Sequence, residues 1–274
     1  MQAFFSTASW TVPTGTLGEL TALAHERAIA VRASLGELQA AARDLPESLA
    51  FAVALRGAHV SVIAEVKRSS PSRGAIAPGL DAAAQAERYV AGGAAAISVL
   101  TEPTRFGGEL ADLRHIAQRV QVPTIRKDFL VEPVQLWEAR VAGASAVLLI
   151  VRALSPDELA RMMDATRACG LEALVEVRDD AELDRALAVD ARVIGVNNRN
   201  LETLVIDAAT APGLIPRIPR DRIAVAESGM RELADVTLAA RAGADAILVG
   251  SALSGANDAR EAVRQLASIP RQPR

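Results

Sequence analysis

Residues 142–150 read Ala-Gly-Ala-Ser-Ala-Val-Leu-Leu-Ile. A helix end, two small residues and a wholly apolar run follow one another. Glycine suits the left-handed backbone that stops a helix. The run shows no polar alternation, which is the pattern of a parallel strand covered on both faces. The same arrangement returns at Ala91-Gly92 ahead of Ala96–Leu100 and at Ala242-Gly243 ahead of Ala246–Gly250, with Asp190 in the equivalent place before Arg192–Val196. These points recur roughly every fifty residues, the length of two strand–helix units. Val62–Val66, Pro123–Lys127, Ala173–Val177 and Arg222–Ala226 bring the short apolar runs to eight.

Between the runs lie stretches of helical period: Asp81–Ala91, Glu109–Val120, Glu132–Ala142, Ser155–Cys169 and Glu232–Ala242. Ser155-Pro156-Asp157-Glu158 puts proline at a first helical position and acids in a first turn. Eight strands alternating with helices predict an α/β fold, a closed (β/α)₈ TIM barrel. An open doubly wound sheet is the alternative, but the G-x-G-x-x-G turn that would favour it is absent. Ahead of the barrel, Thr16–Arg43 has Leu17, Leu20, Leu23, Ala24 and Ala28 at helical spacing, and Leu45–Leu55 reads as a second helix after Pro46. The expected organisation is a helical extension over residues 1–60 packed as a cap on a barrel over residues 61–274, together one structural domain.

The chain has 274 residues and a net charge of −3, without basic or acidic blocks, so neither nucleic acid nor a charged membrane surface is an expected partner. Its longest apolar run, Ala146 to Val151, is too short to span a bilayer. The first residues lack the basic-then-apolar pattern of a signal peptide. The single cysteine, Cys169, cannot form an internal disulfide, which fits a reducing cytoplasm.

Barrel enzymes carry their chemistry at the C-terminal ends of the strands. Of 30 basic residues only two are lysine, Lys67 and Lys127, and both fall at such ends. Unlike arginine, lysine can donate a proton at neutral pH when its surroundings lower its pKa, and two neighbouring lysines should lower each other's. Glu65, Glu176 and Glu227 stand in otherwise apolar strands, where an unpaired carboxylate is costly. With Lys67, Lys127 and Arg199 as partners they form either an internal salt-bridge network or an acid–base site. Ser228-Gly229 and Gly250-Ser251 end the last two strands, where barrels often cradle phosphate, and a short helix from Ser251 would turn its positive end to the anion. Phe106 and Phe129 fall on the same rim. His25, His59 and His115 do not cluster, and no ligand spacing suggests a metal.

The segment Ile63-Ala64-Glu65-Val66-Lys67-Arg68-Ser69-Ser70-Pro71-Ser72 resembles the first-strand signature of the indole-3-glycerol phosphate synthase family. So do Leu100-Thr101-Glu102, Phe106-Gly107-Gly108, Arg126-Lys127-Asp128-Phe129, Leu148-Leu149-Ile150, Glu176, Gly195 through Thr203, Ala226-Glu227-Ser228-Gly229 and Gly250-Ser251, in order. The resemblance implies a cofactor-free lyase of tryptophan biosynthesis that closes the indole ring of 1-(2-carboxyphenylamino)-1-deoxyribulose 5-phosphate, releasing CO₂ and water. It further implies Lys127 as general acid and Glu176 as base in the dehydration. Lys67 would bind substrate and share the acid role, with Glu65 and Asn197 positioning. Ser70 and Arg199 would meet anionic groups, and Glu227 would support the rim. Ser228, Gly229, Gly250 and Ser251 would hold phosphate, while Phe106, Phe129, Leu148 and Leu201 would wall the aromatic ring. The expected protein acts on a phosphorylated small molecule as a monomer or weak homodimer. The alternatives are a sugar-phosphate isomerase, a Schiff-base aldolase using Lys127, and a non-catalytic phosphate-binding barrel.

Overall fold

The computed structural model describes residues 10–71, 74–76 and 79–274. Eight parallel strands close into a barrel: β1 (Ser61–Val66), β2 (Ala96–Leu100), β3 (Thr124–Lys127), β4 (Ala146–Ile150), β5 (Glu172–Val177), β6 (Val193–Asn197), β7 (Ile223–Glu227) and β8 (Ala246–Val249). Each pairs with its neighbours in sequence, and β1 pairs with both β2 and β8, so no edge is left open. These are the eight expected runs, shifted by at most one residue at their ends.

Among the described residues three α-helices precede the barrel, α1 (Gly15–Val31), α2 (Leu35–Ala42) and α3 (Phe51–Ala54). Around it run α4 (Ala82–Ala91), α5 (Pro103–Phe106), α6 (Leu110–Ala117), α7 (Pro133–Val141), α8 (Pro156–Ala168), α9 (Asp180–Ala188), α10 (Thr210–Leu214), α11 (Leu233–Arg241), α12 (Ser251–Ser254) and α13 (Ala259–Leu266). Ser155 and Glu158 form a reciprocal cap on α8, with Pro156 at its first position, as the sequence predicts. A short antiparallel ribbon, Ser69–Ser70 against Gly74–Ala75, follows β1.

The left-handed helix ends fall at Gly143 (φ 90°), Gly243 (φ 93°) and Asp190 (φ 57°), as read from the repeat. In the first repeat the left-handed residue is instead Gly93 (φ 96°), one position later than expected. Gly92 is right-handed at φ −83° and serves another purpose. A Cβ there would lie 2.4 Å from the carbonyl oxygen of Arg260, so the glycine lets α4 approach α13.

The expected single helix Thr16–Arg43 is broken by a 3₁₀ turn at Arg32–Ser34, after which α2 leaves the line of α1 to pack along α7. The expected helix Leu45–Leu55 shrinks to the four residues of α3. Proline disfavours a helical residue before it, and barrel groups claim the backbone here. Arg140 donates to the carbonyls of Leu45 and Pro46, and Ser48 donates to that of Gly170. One apolar cluster runs from Leu17, Leu20 and Phe51 of the leading helices through the barrel strands to Val263 and Leu266. Among the described residues, no helix is long and apolar enough to cross a membrane.

Candidate active site

Layers inside such a barrel are filled from alternate strands. In the layer nearest the C-terminal ends, the odd strands send in charges where apolar side chains would be usual: Glu65 from β1, Lys127 from β3, Glu176 from β5 and Glu227 from β7. The three carboxyls are all buried. Lys67, just beyond β1, puts Nζ 2.7 Å from Glu65 Oε1. Lys127 Nζ stands 3.9 Å from Glu227 Oε2 and 4.0 Å from Glu176 Oε2. The two lysines therefore divide the acids between them.

That division reverses one expectation. Burial pushes the Lys127 ammonium toward a lower pKa, but Glu227, Glu176 and Glu65 outweigh it and hold the pKa above that of an ordinary lysine. Lys127 is thus a charged ammonium at rest, not a lysine lowered by its fellow. Burial likewise pushes Glu65 up, yet Lys67 and then Lys127 prevail and keep the carboxyl below its usual range. Glu227 goes the other way. Burial and the neighbouring Glu176 raise its pKa well above the ordinary value against the opposing pull of Lys127. Glu227 Oε1 and Glu176 Oε2 are both buried without a hydrogen-bond partner among the described residues.

A cavity of about 360 Å³ opens over this cluster, within the range of small-molecule sites. Of the residues singled out by sequence, Glu65, Lys67, Ser70, Phe106, Lys127, Phe129, Leu148, Asn197, Arg199, Leu201, Glu227, Ser228, Gly229, Gly250 and Ser251 all line it. Glu176 alone does not. It reaches the cluster through Lys127 but lines a smaller neighbouring cavity. Ser72 lies outside the described residues. Phe106 and Phe129 face each other with ring centroids 6.3 Å apart, forming an apolar wall with Leu148 and Leu201. Asn197 Oδ1 accepts the backbone N–H of Arg199 at 2.9 Å, and Arg199 Nη1 donates to the Leu204 carbonyl.

Across the cavity, Ser228 (φ 60°) and Gly229 (φ 82°) take two successive left-handed conformations, and at the serine this is strained. Gly250 is glycine for space: a Cβ would lie 2.3 Å from Glu65 Oε1 and 3.0 Å from Lys67 Nζ. Ser251 opens the four-residue α12 beside them. Among the described residues no group of His, Cys, Asp and Glu could hold a metal ion. The Cys169 thiol is buried and pushed up to about 12, so it is unreactive at neutral pH.

A family model described as indole-3-glycerol phosphate synthase matches residues 20–266. The chain is 54% identical over 214 residues to the indole-3-glycerol phosphate synthase of Kineococcus radiotolerans, covering 78% of each. It is 48% identical over 242 residues to that of Streptomyces griseus, covering 88% of this chain and 90% of the other. The chain belongs to the indole-3-glycerol phosphate synthase family. Membership carries the family's reaction, a decarboxylating ring closure on the way to tryptophan. More distant solved structures share the fold alone. The 3-hexulose-6-phosphate synthase of Salmonella typhimurium superposes at a TM-score of 0.61 with 16% identity, covering 76% of this chain and 97% of that one. Thiamine phosphate pyrophosphorylase from Pyrococcus furiosus gives 0.58 with 19% identity, covering 77% and 95%.

Several residues around this site were given no role by the sequence reading, although Gly195 and Asn198 stand in its motifs. Gly195, beside Glu176 and opposite Val225, leaves the space that the Glu227 carboxyl occupies, since a Cβ there would fall 2.0 Å from Glu227 Oε1. Asn198 donates to the Ser228 carbonyl at 3.0 Å and accepts from Ala211 N at 2.8 Å, bracing the left-handed turn. Thr16 and Leu20 of α1 line the main cavity, so the extension forms part of its wall. Arg27, also on α1, bonds Asp128 Oδ1 at 2.7 Å, and Asp128 Oδ2 accepts from Thr101 and Arg126. The residue adjoining Lys127 is fixed from three sides. Its place in the Lys-Asp-Phe motif was the available signal.

Proposed function

We propose that this chain turns 1-(2-carboxyphenylamino)-1-deoxyribulose 5-phosphate into indole-3-glycerol phosphate, CO₂ and water by the following division of labour. Lys127 gives its proton to the substrate carbonyl oxygen as the ring carbon attacks. After CO₂ leaves, the new hydroxyl departs as water with a second proton, and Glu176 takes a proton from the adjacent carbon. Lys67, held by Glu65, binds the substrate carboxylate, while Asn197 orients Arg199 toward an anionic group. Ser70, Ser228, Gly229, Gly250 and Ser251 hold the phosphate, and Phe106, Phe129, Leu148 and Leu201 enclose the aromatic ring.

The observation that carries this reading is the Lys127 ammonium set between two buried carboxyls under an apolar wall. A preloaded cation where oxygen gains charge stabilises that charge in a water-poor site. Burial and Glu176 raise the pKa of Glu227, which favours its neutral form beside the Glu176 carboxyl. The substrate is a metabolic phosphate and the chain has one buried cysteine, so we place the protein in a reducing cytoplasm, as a monomer or weak homodimer.

The test follows product fluorescence with purified protein and this substrate, beside Lys127→Ala. Loss of a positioned proton donor is expected to lower kcat by about 10²–10⁴-fold with substrate binding retained. Near-normal rates in Lys127→Ala would move the acid to Lys67. A folded wild-type protein that binds the substrate without turning it over would leave a binding-only barrel.

A further inference from the structure

The smaller cavity, about 100 Å³, adjoins the main one at the ends of β5 and β6. Asn197, Arg199 and Leu201 line both, so one layer of side chains separates them. Glu176 stands at this partition. Its Oε2 is 4.0 Å from Lys127 Nζ and has no hydrogen-bond partner among the described residues, and the residue lines the smaller cavity. Glu182, in the first turn of α9, lines the same cavity and is buried.

One structural duty of Glu182 is plain. Its Oε2 accepts the Arg178 N–H at 2.7 Å and helps to cap α9, which Asp179 also caps. That duty needs no acid. At the corresponding place in α7, the amide Gln135 accepts from Val131 N at 2.8 Å and Glu132 N at 3.0 Å. At Glu182 burial and then Asp179 drive the carboxyl up to about 7, with Glu176 adding to the rise and the Arg178 N–H and Arg152 opposing it. Arg185 on α9 also feels Glu182, and Arg199 and Glu202 face the cavity from the loop after β6.

Proton accounting shows what such a group can serve. Ring closure places one proton on the carbonyl oxygen. Dehydration places a second on the same oxygen and removes one from carbon, while CO₂ leaves without any. With the substrate carboxylate ionised, the site takes up one proton per turnover, and Glu176 must also shed the proton it gains. Bound substrate fills the main cavity, so protons need another way.

We propose that Glu182 and the water of the smaller cavity form a proton relay between Glu176 and solvent, apart from the mouth through which substrate enters. Protonated Glu176 passes its proton to cavity water, the Glu182 carboxylate accepts it, and Glu182 releases it outward. The reverse sequence reloads Lys127 through Glu176. Only O–H and N–H bonds form and break. The inference rests on the role proposed above for Glu176.

The test is Glu182→Gln, which keeps the capping acceptor and removes the titrating proton. Expected are a several-fold fall in kcat at neutral pH, an unchanged KM, a larger solvent deuterium isotope effect, and recovery of rate on adding formate or imidazole. A kcat and isotope effect equal to wild type would overturn the relay. So would a loss that tracks a lower Tm and resists rescue, because that marks a purely structural role. Carboxyl titration by NMR gives a readout independent of turnover: Glu176→Gln should lower the Glu182 midpoint. No change there would sink the relay even with an active enzyme. Failure of the wild type to turn over substrate would instead remove the functional reading.

Discussion

Gly195→Ala tests how tightly the carboxyl cluster is built. An added Cβ would lie 2.0 Å from Glu227 Oε1, 3.1 Å from its Cδ and 3.2 Å from Leu174 Cδ1. Ordinary contact begins at 3.4 Å, so the oxygen must retreat by about 1.4 Å. The barrel floor offers little room, because Leu174, Val193 and Val225, which share the inward face with Gly195, are buried. Glu227 would leave its 3.9 Å contact with Lys127, and the lysine would lose one of its two carboxyl neighbours. Overpacking of this kind costs about 1–3 kcal/mol, and a shift of about 1 Å in a reacting group costs about 10²-fold in rate. Thermal unfolding should show a Tm lower by several degrees, and the fluorescence assay a kcat lower by about 10²-fold. Glu227→Asp shortens the colliding side chain, so Gly195→Ala with Glu227→Asp should be more stable than the two single effects added together. Additive losses, or a Gly195→Ala protein with wild-type Tm and rate, would refute the reasoning.

Glu227→Gln bears on stability against pH. A carboxyl whose folded pKa is raised binds its proton more tightly when folded, so its contribution is present below the ordinary carboxylate pKa and is lost as pH rises through the folded value. Relative to wild type, the Gln variant should therefore gain Tm as pH rises from mildly acid to alkaline. Glu65 has the opposite sign: its lowered folded pKa gives stability above its ordinary value that is lost as pH falls. The acid limb of wild-type unfolding should flatten in Glu65→Gln, as calorimetry across acid pH would report. Arg27→Ala removes one charged partner from buried Asp128 but leaves Arg126 and Thr101, so a loss of about 2 kcal/mol is expected in chemical denaturation. It should also lower kcat through the neighbouring Lys127.

The barrel was legible because its signals are local. Apolar runs mark strands buried on both faces, and glycine or Asp190 marks the helix ends that precede them. The leading helices were not, because long-range bonds decide them. Arg140 takes the Leu45 and Pro46 carbonyls, which no local pattern in residues 45–55 announces. Within the site, strand order tells which residues gather at one mouth. It does not tell which acid each lysine meets. Two lysines on one rim suggested mutual repulsion, whereas pairing Lys67 with Glu65 leaves Lys127 to two other acids and turns its pKa upward. Gly195 was hidden because its role is an absence of atoms. Nothing in the sequence singled out Glu182, since its burial depends on the neighbouring strand ends.

Helix α1 has a consequence for how the molecule is made. It leaves the ribosome well before the groups that fasten its start. Thr16 N bonds the Glu202 carbonyl at 3.1 Å, and Thr14 bonds the Glu202 side chain across 188 positions of sequence. At the usual pace of synthesis, the helix waits roughly 10–40 s for that anchor to be polymerised. Meanwhile Leu17, Leu20 and Ala24 have no barrel to cover. A nascent chain halted before Glu202 should thus display its apolar helix face to chaperones, and the released chain with β7 and β8 in place should not.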